Sequence, residues 1–491
     1  MRGNMKRIVY LPLDERPCNY DFPYFALENS DSVTVVRPPL DLMGKKKRPA
    51  DCDGLVDFLL RECEGADYLI LALDTLLYGG IIPSRLHHLD RDVLLSRLEA
   101  VKRIRLANPT LHVSAFSLVM RCPCYSDSSE EPDYYAECGR EIFLYGQNEH
   151  RHRLGEITED EYLARREELA KCLPYIGDYE TRRAVNLSLL SDALTMVGEY
   201  IDEFTILQDD SNPRGYTSMD REAVLSVVKE HGIDLDTYPG ADEAGMTLLA
   251  RAATYLEGRR PKIYVAYPRE GAADVVPIYE DREIRLTVSA QIVSAGCVEC
   301  FSEAEADLTL YVNLNDTRTY DVYLSPTKQA DEGYIGAFAD RIAESVRAGK
   351  GAAIADVAYC NTGDETLVRE LAKRTDLLDL WGYAGWNTSS NTLGTVICQG
   401  ALRYLFGDTA THRGFTARRL IDDVVYSAVV RPTLRDEYRG REGDTNLTEA
   451  VNLINKTAEE MLPNIADKYA VEECTLPWDR LFEIGIKIKE K

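Results

Sequence analysis

The sequence is poor in basic residues for its length and lacks any long apolar run. Its 491 residues include 57 Lys and Arg against 82 Asp and Glu, for a formal net charge of −25. Nucleic-acid binding needs clustered cations, so this composition argues against nucleic acid as a partner. A membrane-spanning helix needs about 20 apolar residues, and charges near Met1 interrupt any signal-peptide core. We therefore expect a cytoplasmic protein that does not bind membranes.

Several familiar catalytic signatures are missing too. The sequence has no G-x-S-x-G nucleophile motif and no glycine spacing typical of a phosphate-binding loop. Its 12 cysteines are scattered, and the two close pairs, at 122/124 and 297/300, have no second pair nearby. This pattern favours reduced, buried thiols over a disulfide framework or a zinc–thiolate site. The sequence thus requires no cofactor, although a divalent metal held by carboxylates stays open.

Short apolar runs alternate with longer amphipathic stretches over the first half of the chain. The runs lie at 6–13, 32–37, 67–73, 111–118, 203–208 and 262–267. This alternation predicts an α/β fold with parallel strands, and six such units favour a (β/α) barrel-like part over residues 1–275. Residues 276–491 are predicted as a C-terminal α/β part that contributes to the site. The polar segment 121–159 has two interpretations: an insertion that covers that site, or a solvated surface excursion.

Acidic residues directly follow several predicted strands. They are Asp14, Asp74, Asp209, Asp210 and Asp356, joined by the Asp242–Glu243 pair after a Tyr-Pro-Gly turn. Ligands of parallel α/β proteins bind beyond the carboxyl ends of strands, so these side chains predict a site at that edge. A single Asp there can simply cap the next helix. Two adjacent carboxylates exceed what a cap needs and favour a proton donor near neutral pH, which singles out Asp209 and Asp210.

A segment rich in aromatic and amide side chains lies near residue 385. It contains Tyr383, Trp386, Asn387 and Asn391. Aromatic faces beside amides suit a sugar ring, whose C–H face stacks while its hydroxyls need donors and acceptors. The alternative interpretation is that the aromatic residues belong to the core and that Asn387 precedes a helix cap.

Five ordered motifs resemble the bacterial domain-of-unknown-function family 4127. They are LPLDERPCNYDFP, DTLLYGGIIPSR, LQDDSNPRGYT, YPGADEAGMTLLARA and YAGWNTSSNTLGT, and they span nearly the whole chain. The resemblance implies β-N-acetylglucosaminidase activity, with zinc dependence left open. The Asp209–Asp210 pair is also similar to the paired aspartates of substrate-assisted hexosaminidases. By that likeness Asp209 orients the acetamido group, and Asp210 protonates the leaving oxygen and then activates water.

Together these features predict a glycoside hydrolase that releases terminal β-linked N-acetylhexosamine from a small-molecule or oligosaccharide substrate. The predicted catalytic residues are Asp209, Asp210 and Asp242. The predicted binding residues are Asp14, Arg16, Asp74, Tyr78, Glu243, Tyr383, Trp386, Asn387 and Asn391. The alternatives are a carboxylate-metal hydrolase of another bond, drawing on the same acids, and a non-catalytic sugar-binding protein. The oligomeric state is not predicted.

Overall fold

The chain folds into two open, parallel β-sheets flanked and joined by helices. The computed structural model describes residues 5–209, 212–314, 319–321 and 333–491. The first sheet contains β1 (Lys6–Leu11), β2 (Val33–Val36), β3 (Tyr68–Ala72), β4 (His112–Val119), β5 (Glu203–Gln208) and β6 (Asp236–Pro239). Its strand order is β2-β1-β3-β4-β5-β6, and every pairing is parallel.

The second sheet follows in the chain and is also parallel. Along the chain come β7 (Lys262–Ala266), β8 (Val298–Cys300), β9 (Leu308–Asn313), β10 (Tyr320–Asp321), β11 (Gly351–Asp356), β12 (Tyr359–Cys360), β13 (Gly382–Ala384), β14 (Tyr469–Thr475) and β15 (Gly485–Glu490). The sheet has the order β13-β11-β9-β7-β8. Strands β10 and β12 form a short parallel pair, while β14 and β15 form an antiparallel hairpin. The predicted domain boundary at residue 275 falls after β7, so β7, the first strand of the five-stranded sheet, precedes that boundary.

The α/β class with parallel strands is confirmed, but the barrel prediction is wrong. Both sheets are open, with β2 and β6 at the edges of the first and β13 and β8 at the edges of the second. The physical reason is the direction of winding. From β1 the chain first adds β2 on one side and then adds β3 to β6 on the other, so the strands spread outward instead of closing.

Helices cover the faces of both sheets. They are α1 (Pro17–Tyr20), α2 (Phe22–Phe25), α3 (Cys52–Glu62), α4 (Leu73–Tyr78), α5 (Pro83–Leu86), α6 (Arg91–Ala107), α7 (Tyr135–Arg153), α8 (Glu159–Glu168), α9 (Leu173–Leu194), α10 (Tyr216–His231), α11 (Ala244–Glu257), α12 (Ile284–Ser294), α13 (Ile335–Arg347), α14 (Glu365–Ala372), α15 (Ser389–Phe406), α16 (Ala410–Leu420), α17 (Arg431–Glu437), α18 (Leu447–Met461) and α19 (Pro463–Ala466). A π-helical stretch, Ile421–Val430, joins α16 to α17. None of the described helices is long and apolar enough to cross a membrane.

Helices α11, α12 and α15 share one hydrophobic core with strands of both sheets. Ile8 of the first sheet and Leu310 of the second belong to the same buried cluster as Leu248 of α11 and Val396 of α15. Helix α11 is apolar on nearly all sides, as expected for a helix enclosed by the protein. This shared core fixes the two sheets relative to each other.

The insertion between β4 and β5 has a small core of its own. Tyr135, Ile142 and Tyr179 are buried there, beside a disulfide that joins Cys138 of α7 to Cys172. The prediction that the cysteines are reduced is therefore wrong for this pair, because the fold brings together two residues that lie 34 positions apart in the sequence.

Candidate functional site

The carboxyl ends of both sheets border one cleft with a volume of about 490 Å³. The strand order reverses between β1 and β3 in the first sheet and between β7 and β9 in the second. Ligands of open α/β sheets bind beyond the carboxyl ends at such reversals, where loops leave in opposite directions. The cleft is lined by Arg16, Ile81, Arg85, Arg121, Tyr125, Asp127, Glu130, Asp209, Asp242, Tyr279, Asp321, Asn361, Asn387, Thr388, Asn391, Trp478, Arg480 and Phe482.

Local sequence explains how two of these arginines are presented. Arg16 is the N-cap of α1 and Arg85 lies in α5, and each helix begins with a proline, Pro17 or Pro83. Proline suits the first helical position because its φ is already helical and it lacks the N–H that would go unbonded there. Strand β1 is thus followed by α1, and strand β3 by α4 and then α5, so that a short helix beginning with proline places an arginine at the cleft after each strand.

Arg16 joins two of the predicted carboxylates. Its Nε donates to Asp14 Oδ2 at 2.8 Å, and its two Nη atoms donate to Asp242 at 2.5 and 3.1 Å. Asn19 Nδ2 donates to both aspartates, and Asn387 Nδ2 donates to Asp242 Oδ2 at 3.3 Å. Burial raises the pKa of Asp14 to about 7. The structure therefore brings together four of the residues that the sequence predicted, including one candidate catalytic acid.

Asp209 is held by a second pair of arginines. Arg85 Nη2 donates to its Oδ2 at 2.7 Å and Arg121 Nη1 at 3.4 Å. Both arginines also donate to Glu130 and Glu131 of the insertion. Burial opposes ionisation of Glu130, but four nearby guanidinium groups outweigh it and hold its pKa well below the usual range. Asp209 is thus oriented as a hydrogen-bond acceptor at the cleft. The predicted catalytic residue Asp210 lies outside the described residues.

The hairpin loop between β14 and β15 completes this network. Arg480 donates to Glu130, and the Trp478 ring lies 4.6 Å from the guanidinium carbon of Arg16 and 4.5 Å from that of Arg480. Trp478 Nε1 also donates to Glu15 Oε1 at 2.8 Å. The C-terminal hairpin and the insertion therefore both meet at the carboxyl edge of the first sheet, and the interpretation of the insertion as a cover is supported.

Asp74 lies beneath the cleft and lines a small cavity of about 10 Å³ with Tyr78, Arg85 and Asp209. Its Oδ2 accepts hydrogen bonds from Ser117 Oγ at 2.9 Å and from a backbone N–H at 3.0 Å. Burial raises the pKa of Asp74 to about 6. Tyr78 is buried and stacks on an imidazole ring at 4.6 Å. Both residues are near Asp209, but neither lines the larger cleft.

Left-handed backbone conformations are concentrated at this cleft. Tyr279, Asn361, Asn387 and Trp478 have φ values of 70°, 67°, 51° and 55°. Such values are unusual for residues other than glycine, and most of all for bulky ones. Each costs about 1–3 kcal/mol, and strain of this kind gathers at functional sites. This is an argument for the cleft as the functional site that is independent of its charges.

The comparisons with known proteins agree with the sequence motifs. A family model described as a protein of unknown function (DUF4127) matches residues 8–487. The chain belongs to the DUF4127 family. The match spans both sheets and confirms the family resemblance. Neither a curated protein nor a solved structure matches the chain.

Besides Asp14, Asp74 and Tyr78, three more predicted site residues of this DUF4127 chain do not line the cleft. Glu243 is fully buried, accepts from Gln291 Nε2 at 2.8 Å, and has a pKa raised by burial to about 8. Tyr383 donates to buried Asp356 at 2.7 Å. Trp386 packs edge-to-face on a phenylalanine ring in the shared core. The two aromatic side chains thus follow the core interpretation, whereas Asn387 and Asn391 of the same segment do border the cleft.

The residues of the DUF4127 cleft that sequence reasoning missed come mostly from loops. They are Ile81, Arg85, Arg121, Tyr125, Asp127, Glu130, Tyr279, Asp321, Asn361, Thr388, Trp478, Arg480 and Phe482. Ile81, Arg85 and Thr388 carried a signal, since they lie in the quoted motifs, and four others lie in the polar segment 121–159. The rest are single residues outside any motif, and only the tertiary fold brings them to one place.

The described carboxylates do not fit a metal centre. Within the described ranges, no group of three or more His, Cys, Asp or Glu side chains is placed to hold a metal ion. Asp14 and Asp242 share the guanidinium group of Arg16, and Asp209 contacts two further arginines. Adjacent positive charge opposes the binding of a cation. No chemical step is therefore assigned to a metal here.

Proposed function

We propose that this protein is a glycoside hydrolase that releases terminal β-linked N-acetylhexosamine, most of all N-acetylglucosamine. The supporting observation is that the strand-end carboxylates Asp209 and Asp242 line the same cleft as the amides of Asn387 and Asn391. The cleft volume of about 490 Å³ falls within the range of sites that enclose a small ligand.

The lining suits a neutral, hydroxyl-rich ligand. It contains four arginines and five carboxylates, so the charges nearly balance and do not select a polyanion. Sugar hydroxyls need both donors and acceptors, which the asparagine amides, guanidinium groups and carboxylates supply. Tyr125, Tyr279 and Phe482 add aromatic surface for the C–H face of a ring.

The geometry of Asp209 suits the positioning of an acetamido group. A carboxylate oriented by two guanidinium groups can accept a hydrogen bond from the acetamido N–H and polarise that group. The acetamido oxygen then attacks the anomeric carbon as the bond to the leaving oxygen breaks. A carboxylic acid protonates the leaving oxygen, and its carboxylate afterwards takes a proton from the water that opens the cyclic intermediate. Asp210 remains the predicted acid.

Hydrolysis of p-nitrophenyl glycosides by wild type, Asp209→Asn, Asp210→Asn and Asp133→Asn tests the proposal. We expect wild type to release p-nitrophenol from the N-acetyl-β-D-glucosaminide, and both active-site variants to lose about 100-fold or more in kcat. The Asp133 side chain is 99% exposed, so its variant is a matched control that should retain full activity. Turnover that survives chelator treatment separates this reaction from a metal-dependent one. Failure of wild type to cleave any glycoside would refute the proposal.

A further inference from the structure

The short parallel pair of β10 and β12, which lies outside both large sheets, also brings a carboxylate to the cleft, at Asp321. This residue ends β10, where its backbone pairs with Cys360 of β12. Tyr279 Oη donates to Asp321 Oδ2 at 2.7 Å, and Asn361 Nδ2 donates to the same oxygen at 3.3 Å. All three hydrogen-bonded side chains line the cleft. The carboxylate is therefore held from two separate loops.

Both donors adopt left-handed backbone conformations, with φ of 70° for Tyr279 and 67° for Asn361. Surrounding contacts hold these conformations in place. The N–H of Ile278, next to Tyr279, donates to Thr319 Oγ1 at 2.8 Å, and the Asn361 N–H donates to the carbonyl of Asn387 at 2.8 Å. The fold thus maintains two unusual backbone conformations whose side chains meet at a single carboxylate oxygen.

A carboxylate with a purely structural role needs no such arrangement, because ordinary donors in relaxed conformations can satisfy it. Strained residues that converge on one acidic group in a ligand-sized cleft are typical of a preorganised site. Two other described carboxylates of the cleft also follow strands, Asp209 and Asp242, and both of these strands belong to the first sheet. Asp321 is the counterpart that the β10–β12 pair supplies from the second half of the chain.

We propose that Asp321 contacts the substrate and accepts a hydrogen bond from a hydroxyl of the bound sugar, with Tyr279 and Asn361 as its positioning residues. This inference rests on the proposed glycosidase function. In the resulting reaction centre, the first sheet orients the acetamido group, and the β10–β12 pair fixes the ring through its hydroxyls.

The test uses hydrolysis of p-nitrophenyl N-acetyl-β-D-glucosaminide by the full chain. Asp321→Asn keeps the shape of the side chain and removes its charge, and should lower kcat/KM by roughly 10- to 100-fold, as for loss of a hydrogen bond to a charged group. Asp274→Asn is the matched control, because Asp274 lies on the same loop as Tyr279 with a side chain that is 65% exposed. The control should retain wild-type kcat/KM.

Tyr279→Phe supplies a second readout that a structural role would not move. Loss of the hydroxyl removes a donor that positions the carboxylate against the sugar, so KM for the glycoside should rise by about 3- to 10-fold with kcat little changed. If Asp321→Asn fails to fold, this variant decides, and an unchanged KM overturns the inference. Wild-type kcat/KM in a folded Asp321→Asn variant overturns it too, while leaving the proposed function intact. Absence of glycoside turnover by wild type overturns both.

Discussion

Replacement of Asp74 by asparagine should change how stability depends on pH. Asp74 is 4% exposed, and burial raises the pKa of its carboxyl to about 6 in the folded protein. In an unfolded chain the pKa of aspartate is about 3.9. Between these values the unfolded state releases its proton while the folded state keeps it. The free energy of unfolding should therefore fall as pH rises through this window, by about 3 kcal/mol in total at about 1.4 kcal/mol per pH unit.

The asparagine variant lacks this slope because its amide is neutral at every pH. Its Oδ1 can still accept the hydrogen bonds that Ser117 Oγ and the Leu118 N–H now donate to Asp74 Oδ2. Urea denaturation across the window should show the variant gaining about 3 kcal/mol relative to wild type from about pH 4 to about pH 7. The control is Asp133→Asn, which removes a carboxylate whose side chain is 99% exposed.

The outcome that would refute this reasoning is a difference between variant and wild type that stays constant with pH. It would mean that Asp74 is ionised in the folded protein, and that its two hydrogen bonds outweigh the desolvation of the charge. If the stability difference between the Asp133 control and wild type changed with pH by a similar amount, the effect would instead come from the change in overall net charge.

Three further changes, one of them in the core of the insertion, test contacts by urea denaturation. Arg16→Met leaves buried aspartates without their cation and should lower the free energy of unfolding by about 3–5 kcal/mol. A loss below about 1 kcal/mol would contradict the buried network. Cys138→Ser removes the disulfide to Cys172 and should cost about 3–4 kcal/mol in the free energy of unfolding. Reductant should lower the free energy of unfolding of wild type but not that of the variant. Gly240→Ala would place a Cβ 2.0 Å from Glu243 Oε1 at a φ of 143° and should cost at least about 2 kcal/mol, so near-neutral stability would contradict this loop geometry.

The first-sheet half of the site was predictable because it depends on local rules. An apolar run followed by an acid marks the carboxyl end of a buried strand, and the ends of parallel strands share one edge. Asp14, Asp209 and Asp242 satisfy this rule, and the structure places Asp209 and Asp242 on the cleft with Asp14 one hydrogen bond behind. The same rule fails for Asp356, which is fully buried beneath Tyr383 and Asn313.

Strand order and the arginine network depend on tertiary structure, which the pattern of runs does not encode. Six βα units are compatible with a closed barrel or an open sheet, and only the direction of each crossover distinguishes them. Glu130 shows the same limit at the level of side chains. It contacts Arg85, Arg121 and Arg480, of which the last is 350 residues away in the chain. No short sequence motif can predict a contact between residues so far apart in the chain.

The segment from Tyr383 to Asn391 shows why composition alone could not separate core from site. Tyr383 belongs to β13 and faces the core, whereas Asn391 lies in the first turn of α15 and borders the cleft. Asn387, between them, has a φ of 51° and turns the chain from the strand towards the helix. Tyr383, before this turn, therefore packs in the core, and Asn391, after it, lines the cleft. Aromatic side chains that do border the cleft include Tyr279 and those of the C-terminal hairpin, and the backbone is again left-handed at Tyr279 and Trp478.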